Sequence, residues 1–213
     1  MFPGQKFLPQ TKMTLVSIET LIAGAHSGHL VSFPTDTVPA LAARPDRSAL
    51  IFAAKERSQE KPLILMGATP EQLWPFVTGS QSELLLWREL TDKYWPGALT
   101  LVLPASGIVP EAMNPKDPTT IGIRIPDRKV ACQILEETGP LATTSANKSG
   151  RPPLQTMTEI EAEFAEVLAL DLMDRDLKIE GQTPSGLPST VVKWTGNGWE
   201  ILRKGSVRLE FLG

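Results

Sequence analysis

The stretch LATTSANKSGRPP, residues 141–153, places Thr143, Thr144, Ser145 and Asn147 at the end of an apolar run. Lys148 and Arg151 follow, and no acid interrupts the stretch. Hydroxyl and carboxamide groups both donate and accept hydrogen bonds, which suits the polar edge of an amino acid or a ribose. Gly150 allows close approach of a ligand to backbone. The same residue types also build Asx and Ser turns, so a purely local role is the alternative.

Cations cluster elsewhere. Lys55, Arg57 and Lys61 fall close together, and Arg203, Lys204 and Arg208 have no acid between them. Guanidinium and ammonium groups in such clusters suit a phosphate or carboxylate. The chain as a whole is mildly acidic, with 21 Lys and Arg against 24 Asp and Glu. Global charge therefore makes no case for nucleic acid, although local charge can differ. The acids between Glu159 and Glu180 read as a solvated helix face and loop.

The inventory excludes several chemistries. His26 and His29 are the two histidines, and no cysteine pair or nearby carboxylate completes a zinc site with them. No G-x-S-x-G surrounds a serine, and there is no Walker A sequence. The single Cys132 rules out an internal disulfide framework and reads as a buried thiol.

These groups need elements to position them. Leu15, Ile18, Leu21, Ile22 and Ala25 share a helical face, and Leu30 to Phe33 read as a strand stopped by Pro34. A helix is expected over 46–57 with Leu50, Ile51 and Ala54 inward, then a strand in PLILMG. Thr69–Gln72, Ser80–Glu83 and Thr158–Glu161 have capping-box spacing. The second of the two intervening helices should end near Trp95. ALTLVLP, TIGIRIP and residues 141–144 read as strands, with a helix capped by Asp127 running to Glu137. Residues 160–168 have helical spacing, and STVVKWTGNGWEILRKG reads as a hairpin.

Alternating strands and helices give an α/β fold, and the closing hairpin implies antiparallel pairing. In an open α/β sheet a strand over 141–144 would carry Ser145 and Asn147 to its carboxyl edge, where ligands sit. One domain over 14–208 is expected, with an exposed lead at 1–13 and a short tail at 209–213. No apolar run reaches a membrane-spanning length of roughly 18 residues, so no membrane association and a cytoplasmic location are expected.

The motifs together resemble the YrdC-like family, the threonylcarbamoyl-AMP synthases. The carriers are FPTDTV (33–38), KERSQEKPLIL (55–65), YWPGALTLVLP (94–104), TIGIRIP (120–126), TTSANKSG (143–150), PSTVV (188–192) and ILRKG (201–205). The resemblance implies a twisted mixed sheet with flanking helices around a basic concave groove, in a short single-domain form. It also implies a nucleotidyltransferase that joins L-threonine, bicarbonate and ATP into threonylcarbamoyl-AMP and pyrophosphate. That product would serve threonylcarbamoyladenosine modification of tRNA, with partner proteins completing the transfer.

Carried across, the family's motifs put L-threonine on Thr35, Arg124, Thr143 and Ser189. The nucleotide falls to Arg57, Lys61, Thr120, Ser145 and Arg203, with Asn147 anchoring the loop. Lys55 would face phosphate and, with Arg57, carry the catalytic charge. Magnesium would arrive on ATP, with no dedicated protein metal site. The sequence departs from the family pattern at Pro39–Ala40–Leu41, where an aromatic-Gly pair is usual, at Lys61 and at Met66. Two other readings use the same basic groove or none: a double-stranded RNA or tRNA binder without adenylate synthesis, and a nonenzymatic assembly partner for tRNA-modification proteins.

Overall fold

The computed structural model describes residues 15–56, 58, 61–173 and 184–209. The expected lead, most of the expected tail, Arg57 and the last acids of the 159–180 run lie outside them. Among the described residues ten strands form one mixed sheet in the order β1-β8-β2-β3-β7-β4-β6-β5-β9-β10. In chain order they begin with β1 (Leu15–Val16), β2 (Val31–Phe33), β3 (Ala40–Ala43), β4 (Ile64–Met66) and β5 (Leu99–Pro104). They continue with β6 (Thr120–Arg124), β7 (Leu141–Ser145), β8 (Leu168–Leu170), β9 (Thr190–Trp194) and β10 (Trp199–Arg203).

The helices are α1 (Ile18–His26), α2 (Ala49–Lys55), α3 (Pro70–Leu73), α4 (Gln81–Tyr94), α5 (Lys129–Thr138) and α6 (Met157–Glu163). Ser17 caps α1 by accepting from Thr20 N at 3.3 Å, so Leu15 falls outside the helix, in β1. The expected 46–57 helix divides into a 3-10 turn at Pro45–Arg47 and α2. It buries Ile51 and Phe52, whereas Leu50 is exposed. Glu56 ends it in the left-handed region, at φ 51°.

Ser80 and Glu83 form the reciprocal capping box expected of them. Thr69 makes no cap bond; Gln72 Oε1 instead accepts from Ala68 N at 2.8 Å. The third box belongs to Thr156 and Glu159, two residues before the expected pair. That register buries Met157 and Ile160 on one face, which a cap at Thr158 would not achieve. Asp127 likewise does not cap α5; Arg128 occupies the N-cap position without a side-chain bond.

The strand β3 was not expected. Its sequence, ALAA, lacks the β-branched and aromatic residues that mark strands, yet all of it is buried. It stands between β2 and β7 and pairs antiparallel with both. β7 is also antiparallel to β4, which runs parallel to β6. Helices α1, α2 and α6 pack against β8, β3 and β1–β2–β8, and α4 buries Trp87 edge-on to Trp194 with ring centroids 6.3 Å apart. The hairpin of β9 and β10 forms as expected.

Candidate active site

Residues two apart on a strand face the same way. Thr143 and Ser145 on β7 therefore share a face, with Ile64 and Ala40 opposite them in the ladder. Met66 pairs with Arg124 one strand further on. These residues floor a cavity of about 330 Å³. Its lining includes Ser145 at the carboxyl end of β7 and Asn147 in the loop beyond, together with Arg124 and Arg203 at the carboxyl ends of β6 and β10.

One wall is apolar, with Val38, Pro39, Ala40, Pro62, Ile64 and Met66. The positions that depart from the family pattern at Pro39, Ala40 and Met66 thus form part of this wall. The lining also includes Arg124, Arg203, Arg151, Ser189 and Asn147.

Arg124 is 2% exposed, and its guanidinium is fixed from behind. Nε donates to Gly97 O at 3.0 Å, Nη1 to Thr37 Oγ1 at 2.9 Å, and Nη2 to Asp36 Oδ1 at 2.6 Å. Burial pushes its pKa down, the Asp36 carboxylate opposes that push, and Arg203 adds to it. Thr35 donates to Val38 O at 2.7 Å, so the 3.0 Å contact between Thr35 and Thr37 must run from Thr37 to Thr35. Thr35 therefore stands behind Thr37, and Thr37 is the threonine of this motif that lines the cavity.

Arg203 donates from Nε to Ser189 O and from Nη2 to Ser189 Oγ, both at 3.0 Å. Partial burial lowers its pKa. Ser189 is held in turn by Thr100 Oγ1 at 2.9 Å. The close approach depends on Gly205, where a Cβ would collide with the Pro188 carbonyl and the Ser189 backbone.

Lys55 is buried and is not one of the cavity-lining residues. Its Nζ donates to Ser145 O and to Asn147 Oδ1. Asn147 Oδ1 also accepts from Ser145 Oγ at 2.6 Å, and Nδ2 donates to Lys148 O and Arg151 O. All four hydrogen-bonding positions of the Asn147 carboxamide are used. The opening stretch is thus both an internally bonded turn and a cavity wall.

The structure brings Arg124, Thr143, Ser145, Asn147, Ser189 and Arg203 together around one cavity. Thr35 and Lys55 lie behind it. Lys61 is exposed and Thr120 stands at the far end of β6 from Arg124, bonded to Asn114 and Asp117; neither lines the cavity. Arg57 lies outside the described residues, and the cations that line the cavity are Arg124, Arg151 and Arg203. Sequence reasoning missed Asp36 and Thr37, and named Arg151 only as a cation of the opening stretch. Asp36 carried a signal, since an acid inside an otherwise uncharged motif needs a cation when buried.

The two histidines are exposed, and Cys132 is half-buried, donating to Pro126 O while burial raises its pKa. Among the described residues no three His, Cys, Asp or Glu side chains cluster as a metal site. Among them, too, no helix is long and apolar enough to cross a membrane.

The Sua5/YciO/YrdC family model, described as telomere recombination, matches residues 25–205. The chain is 35% identical over 187 residues to a threonylcarbamoyl-AMP synthase of Pyrococcus abyssi (strain GE5 / Orsay), covering 86% of this chain and 52% of that protein. It is 36% identical over 190 residues to the Bacillus subtilis (strain 168) protein of the same name, covering 85% and 51%. With a Vibrio cholerae threonylcarbamoyl-AMP synthase it shares 30% identity over 200 residues, covering 91% and 100%. The chain thus spans about half the length of the Pyrococcus and Bacillus relatives.

The solved structure of P. abyssi Sua5 complexed with L-threonine matches with a TM-score of 0.77 and 31% identity, over 92% of this chain and 56% of that one. E. coli YciO, 21% identical with a TM-score of 0.71, shares the fold. Taken with a family match that runs from the end of α1 past Arg203, these similarities establish that the chain belongs to the Sua5/YciO/YrdC family.

Proposed function

We propose that the chain is an L-threonylcarbamoyladenylate synthase, a nucleotidyltransferase that makes threonylcarbamoyl-AMP and pyrophosphate from L-threonine, bicarbonate and ATP. One observation carries this reading: a single cavity presents a buried, ion-paired Arg124 and a second guanidinium, Arg203, held by neutral partners. Relatives named threonylcarbamoyl-AMP synthase and the L-threonine complex of P. abyssi Sua5 support it.

In this reading Arg124 receives the amino-acid carboxylate through the N–H groups that Asp36, Thr37 and Gly97 leave over. The apolar wall at Pro39, Ala40 and Met66 takes the threonine methyl. Arg203 and Arg151 hold phosphate oxygens, with Ser145 on the nucleotide. The threonine amine and bicarbonate condense to a carbamate with loss of water; a carbamate oxygen attacks the α-phosphate, and pyrophosphate leaves. The protein's contribution is alignment and charge stabilisation, so no covalent nucleophile is required. Magnesium enters on ATP; the nearby Asp36 is committed to Arg124. The product passes to tRNA-modification partner proteins in the cytoplasm.

The test supplies purified protein with radiolabelled ATP, magnesium, bicarbonate and L-threonine or L-serine. Pyrophosphate and threonylcarbamoyl-AMP should form only when bicarbonate and amino acid are both present. Threonine should exceed serine by about tenfold, the low end for one methyl in an apolar pocket. Intact ATP under every combination, with salt-sensitive binding to duplex RNA, would replace this reading with the RNA-binding one.

A further inference from the structure

The two guanidiniums that donate hydrogen bonds around the cavity differ in one respect. Arg124 has a carboxylate behind it: Asp36 Oδ1 lies 2.6 Å from Nη2, with side chains 3% and 11% exposed. Arg203 donates to the Ser189 carbonyl and hydroxyl, both uncharged. Among the described residues no carboxylate pairs with Arg203 or with Arg151, the third cation of the wall.

Asp36 does not line the cavity. It sits on a loop whose backbone is itself fastened: Ser185 N donates to Asp36 O at 2.9 Å and Gly186 N to Thr37 O at 3.0 Å. The Arg124 guanidinium has five N–H donors, three of which go to Gly97 O, Thr37 Oγ1 and Asp36 Oδ1. Two remain.

A guanidinium with its charge cancelled from behind still donates directional hydrogen bonds, but it presents little net positive field. Polyphosphate is held chiefly by net charge. The carboxylate of an amino acid is held by a planar donor pair, and the same molecule brings its own ammonium. An unpaired Arg124 would add its full charge to those of Arg203 and Arg151, and phosphate would be drawn to all three.

We propose that Asp36 is a positioning residue that sorts the two anions. It fixes the plane of Arg124 and cancels its charge, reserving that guanidinium for the carboxylate of a zwitterionic amino acid. Polyphosphate is left to Arg203. This inference rests on the synthase reading of the cavity. Arg203 also pushes the Arg124 pKa down, as expected of a second cation near that guanidinium.

The experiment is calorimetric titration of the full chain with L-threonine and with inorganic pyrophosphate, alone and together, followed by steady-state kinetics. Wild-type protein should bind both without competition. In Asp36→Asn, L-threonine affinity should fall by about tenfold or more, as expected when a buried charge pair loses one partner. Pyrophosphate should now compete with threonine, and the threonine KM should rise while kcat stays within about threefold. Asp36→Glu keeps the charge but misplaces it, so threonine should weaken without competition from pyrophosphate.

A folded Asp36→Asn protein with threonine affinity within about twofold of wild type, or with pyrophosphate still non-competitive, would overturn the sorting role. Should Asp36→Asn fail to fold, Asp36→Glu decides: pyrophosphate competing with threonine there would overturn it too. Wild-type protein that binds no L-threonine would remove the synthase reading and this inference together. Wild-type protein that binds both ligands, with unchanged variants, would remove the inference alone.

Discussion

Lys55 Nζ lies 3.1 Å from Asn147 Oδ1, joining the end of α2 to the loop after β7 across 92 positions of chain. The ammonium is buried and also holds the Ser145 carbonyl. Through Asn147 the contact reaches the Lys148 and Arg151 carbonyls. One buried cation thus sets the shape of the loop that walls the cavity.

Lys55→Met should therefore reduce stability and activity together. It removes the charged hydrogen bonds to the Ser145 carbonyl and Asn147 Oδ1, a cost of about 1–3 kcal/mol. Differential scanning calorimetry should show a clear drop in Tm. An unchanged Tm with lost ATP use would return Lys55 to the phosphate-facing role expected from the sequence.

Arg203→Ala should behave in the opposite way. Arg203 is exposed along one side and its bonds go to neutral groups, so Tm should barely move. Activity with ATP should fall by about 100-fold, in line with the loss of a positioned donor to developing negative charge. Initial rates over a range of ATP concentrations measure this directly.

Gly205→Ala tests how Arg203 is placed. A Cβ there meets backbone at Pro188 and Ser189, which cannot swing aside as a side chain would. Overpacking of this kind costs about 1–3 kcal/mol. The ATP KM should rise with the loss of stability, whereas Gly198→Ala, which meets nothing within 4 Å, should alter neither.

Glu83 offers a pH test. Its carboxylate accepts from Ser80 N, Ser80 Oγ and Trp194 Nε1, each at 2.8 Å. The Ser80 backbone bond, then Trp194 and the Ser80 hydroxyl, hold its pKa below the usual 4.5. A depressed folded-state pKa means that the ionised form is favoured by folding. The contribution is complete above the unfolded value and lost as pH falls through the lower folded one. The wild-type advantage over Glu83→Gln in urea midpoint should thus be present at neutral pH and vanish in acid. A pH-independent difference would assign it to packing.

His26→Ala and His29→Ala should each leave activity within about threefold, because the proposed chemistry asks nothing of an imidazole. Both side chains are exposed, and His29 Nδ1 meets only Gly24 O, at 3.3 Å. Loss of turnover in either variant, with circular dichroism unchanged, would require a new account of proton transfer.

What could be read from the sequence was what local patterns encode. The β9–β10 hairpin shows because its strands alternate and Gly196, at φ 90°, supplies the turn. Ser80–Glu83 shows because a capping box is complete within four residues. Thr156 and Thr158 offer the same spacing, and burial of Met157 and Ile160 chose between them, which is a tertiary decision. β3 was invisible because its alanines owe their conformation to β2 and β7. In the site, Arg124 and Arg203 were named from motifs. Their partners Asp36 and Ser189 became partners only through folding, 88 and 14 positions away. Lys55 was named for its charge, and burial gave that charge a different direction.

β7 lies between β3 and β4, which do not touch each other in the sheet. During synthesis the segments of β2–β3 and of β4–β6–β5 are complete well before residue 141 emerges. Until then the inner edges of β3 and β4 have no strand to pair with, and such open edges invite association with other chains. Joining them requires contacts between distant parts of the chain, which slows folding. The strand that carries Thr143 and Ser145 is therefore also the seam that joins β3 to β4, while β8, β9 and β10 follow it in the chain. The cavity comes into being only with that closure, so a chain stalled before it has no site to present and two sticky edges for chaperones to cover.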